Sequence, residues 1–125
     1  MAVSKKENKQ KGNRGESLAA AYLVKHKGHR IITQNYRCPC GEIDIISRSE
    51  ETLVFTEVKY RRSTTHGLPG QAVNYAKQQH IIRTAYWYMN DKHVENMNVR
   101  FDIIELVENE TGKWIRHLEN AFMIS

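Results

Sequence analysis

Gly41-Glu42-Ile43-Asp44-Ile45-Ile46 and, beyond a polar break, Phe55-Thr56-Glu57-Val58-Lys59-Tyr60 are the two stretches whose reading decides the fold. Both are rich in Ile, Val and Phe, which suit strands, and Ser49-Glu50-Glu51 between them suits a turn. Together they predict an antiparallel hairpin. Side chains alternate across a strand, so Glu57 and Lys59 share a face, and the partner strand brings Asp44 beside them. Ionisable groups among aliphatic neighbours cost free energy unless they pair or coordinate a metal. Asp44, Glu57 and Lys59 therefore ask for a functional explanation.

Working outward, Ile31 to Tyr36 reads as a first strand and Cys38 to Gly41 as a turn. Glu42 to Arg48 and Leu53 to Tyr60 complete a three-stranded antiparallel meander. Ahead of it, Asn13 to about Lys27 has a helical pattern, with Asn13 as cap, Leu18, Ala21, Tyr22 and Lys25 near one face, and Gly28 as a left-handed stop. Glu16 in the first turn is either a carboxylate favoured by the helix dipole or one aimed at the strand cluster. Behind the meander, Arg61 to Gly70 is a loop containing His66. Gln71 to Met89 predicts a second helix with a buried stripe of Val73, Tyr75, Ala76, Ile81, Ile82, Ala85 and Tyr88. Its other side carries Lys77, His80 and Arg83, and Tyr86-Trp87-Tyr88 is expected in the core or at an interface. Val99 to Val107 and Trp114 to Leu118 are strands around an Asn109–Gly112 turn. The strand, helix, strand crossover makes strands three and four parallel. The fold class is α/β, an αβββαβ core with a mixed central sheet and flanking helices.

With 125 residues, 40% hydrophobic and 26% charged, the chain fits one globular domain. We assign that domain to residues 13–125, after a disordered basic arm over residues 1–12. The longest apolar run, Leu18 to Val24, is seven residues, against the roughly 18 a membrane span needs. No apolar segment follows the Lys-rich start, so the expectation is a cytoplasmic protein with no membrane partner. Of the net charge of +5, Lys5, Lys6, Lys9, Lys11 and Arg14 against the single acid Glu7 account for most. Such an arm suits either phosphate contacts or plain solvation. Cys38 and Cys40 flank Pro39; with no second cysteine pair, and with His26 and His29 lacking ligand spacing, two thiols in a turn is the reading over half a zinc site.

Asp44 and Glu57 offer hard oxygen donors, which suit Mg²⁺ or Mn²⁺ better than zinc. An ion held there can acidify a water and neutralise charge on a pentacoordinate phosphorus, with Lys59 adding a fixed cation. A structural salt bridge between Lys59 and either acid is the competing explanation.

An acid, a dozen-odd residues and then Glu-x-Lys on the next strand resembles the PD-(D/E)XK nuclease superfamily, whose core order is the one read above. Gly15-Glu16 with Ala19 to Leu23, Asn35-Tyr36-Arg37, Gly41-Glu42-Ile43-Asp44, Val54 to Lys59, Arg100-Phe101-Asp102 and Asn120-Ala121-Phe122 resemble more specifically the YraN-like uncharacterised protein family, similar to archaeal Holliday-junction resolvases. The resemblance implies a restriction-endonuclease-like core. It also implies Glu16, Asp44 and Glu57 as metal-site acids and Lys59 as catalytic lysine. Ile43 stands where the superfamily motif has its proline. Gln71 and Tyr75 have the Gln-x-x-x-Tyr spacing of a RecB-like helix motif and are candidate supporting residues.

The leading expectation is a Mg²⁺- or Mn²⁺-dependent endonuclease on DNA, branched or junction DNA included, with a homodimer allowed. Arg61, Arg62, Lys77 and the arm lysines Lys5, Lys6, Lys9 and Lys11 are its expected phosphate contacts. The alternatives are a non-catalytic nucleic-acid-binding protein of the same fold and a protein-interaction factor. Deleting residues 1–11 is expected to weaken binding of all nucleic-acid sequences alike and to flatten its salt dependence. Binding titrations across a salt series measure this, and a changed substrate preference instead would make the arm a specificity element.

Overall fold

Two short turns bend the first half of the chain into a meander. Pro39 and Cys40 reverse it once and Glu50 and Glu51 again, with Glu50 in the left-handed region at φ 55. A computed structural model describes residues 5–62 and 73–124, with side chains from residue 14 onward. Its elements are α1 (Lys5–Lys27), β1 (Arg30–Cys38), β2 (Gly41–Ser49), β3 (Thr52–Arg61), α2 (Tyr75–Asp91), β4 (Asn98–Asn109) and β5 (Gly112–Phe122).

The five strands form one sheet in the order β1-β2-β3-β4-β5. β1 with β2 and β2 with β3 are antiparallel, as the meander requires. β3 and β4 run parallel from Thr52 opposite Asn98 to Arg61 opposite Val107, and β5 returns antiparallel to β4. The architecture is therefore α/β, a mixed sheet with two helices. Neighbours on a strand point to opposite faces, and Ile103 and Ile104 mark the two cores. Ile103 belongs with Leu53, Phe55, Ile81, Ala85, Tyr88 and Phe101 under α2, and Ile104 with Ala19, Ala20, Leu23, Ile45 and Leu106 under α1. Among the described residues, no helix is long and apolar enough to cross a membrane.

Both helices depart from their sequence reading. α1 begins at Lys5, so Asn13 is an interior residue rather than a cap, and residues 5–12 of the expected arm are helical. Straight-chain Lys, Glu and Gln extend a helix already nucleated by a packed segment at little cost. Its buried face is Ala19, Ala20 and Leu23, whereas Leu18 is exposed and Tyr22 only half-buried. Small residues face the sheet because α1 lies close to it: a Cβ on Gly15 would stand 2.9 Å from Leu106 Cδ1. Gly28 ends the helix at φ 69 as expected. α2 starts at Tyr75, capped by Asn74, whose side chain accepts from the Lys77 N–H at 2.9 Å. Tyr75 and Ala76, at the exposed start, drop out of the expected buried stripe, while Ile81, Ile82, Ala85 and Tyr88 remain in it. Of the three consecutive aromatics only Tyr88 is buried; Tyr86 and Trp87 are about half exposed. Gln71 and the loop residues 63–70, His66 among them, lie outside the described residues.

The α2-side core is tied together by an aromatic chain. Tyr88 meets Phe55 edge-on, Phe55 stacks on Phe101 at 5.6 Å and Phe101 on Phe122 at 5.1 Å. Phe55 is fully buried at its centre. Phe55→Ala is expected to cost about 3–5 kcal/mol, read as a lowered urea midpoint with an unchanged slope; a loss under about 1 kcal/mol would mean that this chain does not anchor the core.

Candidate active site

Asp44 stands where β2 stops pairing with β3 and skips one pair with β1. The β2–β3 pairs run out at Ile45 opposite Thr56. On the other side, Tyr36 pairs with Ile43 and Gln34 with Ile45, while Asn35 and Asp44 between them form no pair. Asn35 turns left-handed there, at φ 56. Ile43 packs under α2 and Ile45 under α1, although residues two apart on a regular strand share a face. The strand thus breaks its alternation at Asp44. The Val58 N–H of β3 donates to Asp44 Oδ2 at 2.7 Å, so a side chain takes the place of a ladder bond.

Three carboxyls gather at this break. Glu57, the residue after the last β2–β3 pair, lies near enough to feel the charge of Asp44. α1 lowers Glu16 towards the same point, next to Gly15, whose missing side chain permits the close approach. Burial, then the charge of Asp44, pushes the Glu57 carboxyl up to about 7. The same two causes, in the same order, raise Glu16 to about 7, with a hydrogen bond from Asn35 acting the other way. Burial also raises Asp44, and the Val58 N–H opposes it. Glu16 Oε2 is buried and has no hydrogen-bond partner. Three acids crowded in low dielectric hold protons more tightly than isolated ones do.

Two ammonium groups reach the cluster, both loosely. Lys59 Nζ and Lys77 Nζ each stand 3.9 Å from Glu57 Oε1, one from β3 and one from the first turn of α2. Lys59 thus shares the Glu57 face, as the alternation predicted. Arg61 points elsewhere, its Nη1 2.9 Å from the buried Glu105. Arg62 and Tyr75 are exposed, away from the cluster's hydrogen bonds and ion pairs. Lys5, Lys6, Lys9 and Lys11 lie on α1, but their side chains are outside the described part.

Beside the carboxyls an open cleft of about 560 Å³ is lined by Arg37, Cys38, Pro39, Gly41, Glu42, Lys77 and His80. Lys77 belongs to both cleft and cluster. Asn35, Arg37, Glu42 and His80 are site neighbours that strand patterning did not single out as functional, because it treats the β1–β2 hairpin as regular; the left-handed asparagine is a signal only in hindsight.

A second polar cluster lies under the far end of α1, and it is fully satisfied. Buried Asp102 takes Arg100 Nε and Nη2 at 2.8 and 2.9 Å, His117 Nε2 at 2.7 Å and the Asn120 N–H at 3.0 Å. Burial works to raise this carboxyl, but the bonds from His117, Arg100 and Asn120 prevail and bring it to about 2.

The donor set of Glu16, Asp44 and Glu57 fits a hard divalent cation in chemistry, since all are carboxylates and one buried oxygen is orphaned. Among the described residues no three His, Cys, Asp or Glu side chains are arranged to hold a metal ion by themselves. Mg²⁺ commonly takes one or two protein carboxylates and fills its remaining positions with water and substrate phosphate, so a pair of carboxylates such as Asp44 and Glu57 is of the type and number it could use.

Residues 15–106 match the family described as Uncharacterised protein family UPF0102. A UPF0102 protein of Clostridium acetobutylicum is 44% identical over 119 residues, covering 94% of this chain and 97% of the relative. One from Alkaliphilus oremlandii is 47% identical, covering 92% and 99%, and one from Geobacter sulfurreducens is 43% identical, covering 94% and 92%.

The two clusters predict opposite pH limbs. Glu57 rises from 4.5 to about 7 on folding, so its stabilising contribution is complete below its unfolded value and is lost as pH climbs through about 7. Asp102 falls from 3.8 to about 2, so its contribution is present above its unfolded value and is lost as pH drops through about 2. In urea titrations across pH without divalent ions, Glu57→Gln is expected to flatten the loss of stability towards neutrality and leave the acid limb intact. An unchanged slope between pH 4.5 and 7 would mean that Glu57 titrates normally.

Proposed function

The chain belongs to the uncharacterised protein family UPF0102, and from that premise we propose that it is a metal-dependent nuclease hydrolysing phosphodiester bonds in DNA, with branched or junction DNA among its substrates. One observation carries this reading: Asp44 lies within electrostatic reach of both Glu16 and Glu57, and the ion pairs among the described residues bring only two loosely placed ammonium groups to them. Groups perturbed by burial and by each other, next to an open cleft, are characteristic of chemistry rather than of stabilisation.

Mg²⁺ or Mn²⁺, when bound, supplies polarisation of a phosphate oxygen and acidification of a water. Asp44, oriented by the Val58 N–H, and Glu57 near it are its holders, with Glu16 acting directly or through water. Lys59, whose ammonium is 3.9 Å from Glu57, faces the negative charge that grows on the phosphoryl oxygens as the water oxygen bonds to phosphorus and the ester bond breaks. Lys77 and Arg37 flank the cleft through which the backbone approaches, and the arm lysines add sequence-independent attraction. Because Glu16 and Glu57 hold protons up to about pH 7, cation binding must displace them, so affinity for the ion increases as pH rises through that value.

Asp44→Asn is expected to abolish calorimetric Mg²⁺ binding and cleavage while the folded protein still binds DNA. Lys59→Ala is expected to retain most of the ion affinity and to lose turnover by about a hundredfold or more. The assay is a panel of branched, flapped, single-stranded and duplex substrates with Mg²⁺, Mn²⁺ or EDTA. Cleavage unchanged in both folded variants contradicts the assignment. Tight DNA binding by the unmodified protein, with no cleavage in either ion, favours a non-catalytic binding protein.

A further inference from the structure

The β1–β2 turn sets two thiols against each other at the edge of the cleft. Cys38 ends β1 and pairs with Gly41, and Pro39 and Cys40 make the reversal. Proline fixes its own φ, and Gly41 takes φ 152, a value side chains rarely adopt. A Cβ there would also stand 2.9 Å from Thr84 Oγ1, so α2 presses directly on the turn. Within this rigid frame Cys38 Sγ and Cys40 Sγ are 2.7 Å apart. Both residues are partly exposed and reduced.

The surroundings treat the two sulfurs differently. Thr84 Oγ1 lies 4.0 Å from Cys40 Sγ and donates to the His80 carbonyl at 2.8 Å, while His80 Nδ1 stands 3.4 Å from the Cys40 carbonyl oxygen. Burial raises the Cys38 thiol, but hydrogen bonds from Cys40 and its neighbours outweigh it and leave it below the ordinary value. The Cys40 thiol is raised, chiefly by the same bond to Cys38. The geometry by itself holds the two sulfurs within reach of each other, and the pKa directions favour Cys38 as the attacking one. Among the described residues no third His, Cys, Asp or Glu joins the two thiols in a group that could hold a metal ion.

We propose that Cys38 and Cys40 form a thiol–disulfide exchange site whose partner is a small-molecule disulfide of the glutathione class. Cys38 thiolate attacks one sulfur of that disulfide; its S–S bond breaks, and one small thiolate leaves and takes up the proton Cys38 has lost. Cys40 then loses its proton and attacks Cys38 Sγ, expelling the second small thiol. The small disulfide is reduced to two thiols and the protein pair is oxidised to one internal bond. The sulfurs need only close to the roughly 2.05 Å of a disulfide. A bond spanning a single proline is strained, which makes it easily reduced again and the exchange reversible. The site does not depend on the nuclease reading, because no carboxyl of the cluster takes part.

The test uses the full reduced chain in buffers of varied reduced and oxidised glutathione, quenched by alkylation and read by intact mass. The expected product has lost two hydrogens and carries no glutathione. Cys40→Ser is expected to retain one glutathione, having no resolving thiol, and Cys38→Ser to react about tenfold more slowly. Retained glutathione or disulfide-linked dimers on the unmodified chain would overturn the proposal, as would equal rates for the two serine variants. Circular dichroism checks their folding. If either variant misfolds, timed alkylation of the unmodified chain decides between the sulfurs: Cys38 labelled first upholds the assignment and Cys40 first overturns it.

Discussion

The hydrogen bond from the Val58 N–H to Asp44 Oδ2, 2.7 Å long, is the constraint on which the organisation of the site depends. A strand that parts from its neighbour leaves backbone groups which cannot remain unpaired when buried. Here the acid fills the gap, so the departure of β2 from β3 and the orientation of Asp44 are one event. The left-handed Asn35 opposite makes the same accommodation on the β1 side and gives a hydrogen bond to Glu16. Gly15 completes the arrangement from above, since a larger residue would meet Leu106 and hold α1, with Glu16, away from the sheet.

Set beside this is the Asp102 cluster, built from similar residue types on the α1 side of the sheet, whereas Glu57 faces α2. Asp102 is more deeply buried than any of the site acids, yet it has a bidentate arginine, a histidine and a backbone N–H within 3.0 Å. His117 in turn meets Tyr22 Oη at 3.1 Å, which links β4 and β5 to α1. Every requirement of that carboxylate is met by the chain itself. Breaking such a set leaves a buried charge without compensation, so its role is to fix α1 on the sheet. The two clusters differ in satisfaction rather than in composition, since Glu16 Oε2 has no hydrogen-bond partner among the described residues.

Much of this was legible in the residues. Alternation gave the meander and the common face of Glu57 and Lys59, the length of the crossover gave the parallel β3–β4 pair, and Gly28 marked the end of α1. Helix faces were read less well. The buried side of α1 is made of alanines, so the larger Leu18 and Tyr22 misled a pattern search that weighs size; only the close approach at Gly15 explains why small residues face inward. Tyr75 looked like core by spacing but is the first residue of α2, where the helix has not yet reached the sheet. Arg61 looked like a phosphate contact by position and faces Glu105 instead, a partner 44 residues away that no local pattern reveals. Asn35 and His80 were given no role at the site for the same reason: their places follow from where β1 and α2 pass the β1–β2 hairpin.

Magnitudes weigh against a strong salt bridge in the Glu57–Lys59 pair. Lys59 and Lys77 are about a third exposed and 3.9 Å from the same carboxylate oxygen, and pairs of that exposure contribute roughly 0–1 kcal/mol each. Removing a carboxylate from water costs several kcal/mol, and three acids share this one place. Two distant ammonium groups cannot offset that, which is why Glu16 and Glu57 hold their protons to about pH 7. In the chain alone, a proton is the neutralising species. A divalent cation bound as proposed would bring more charge to the same oxygens and would have to displace those protons. The arrangement is therefore poor as a salt bridge, and the divalent cation proposed above would suit its donor type.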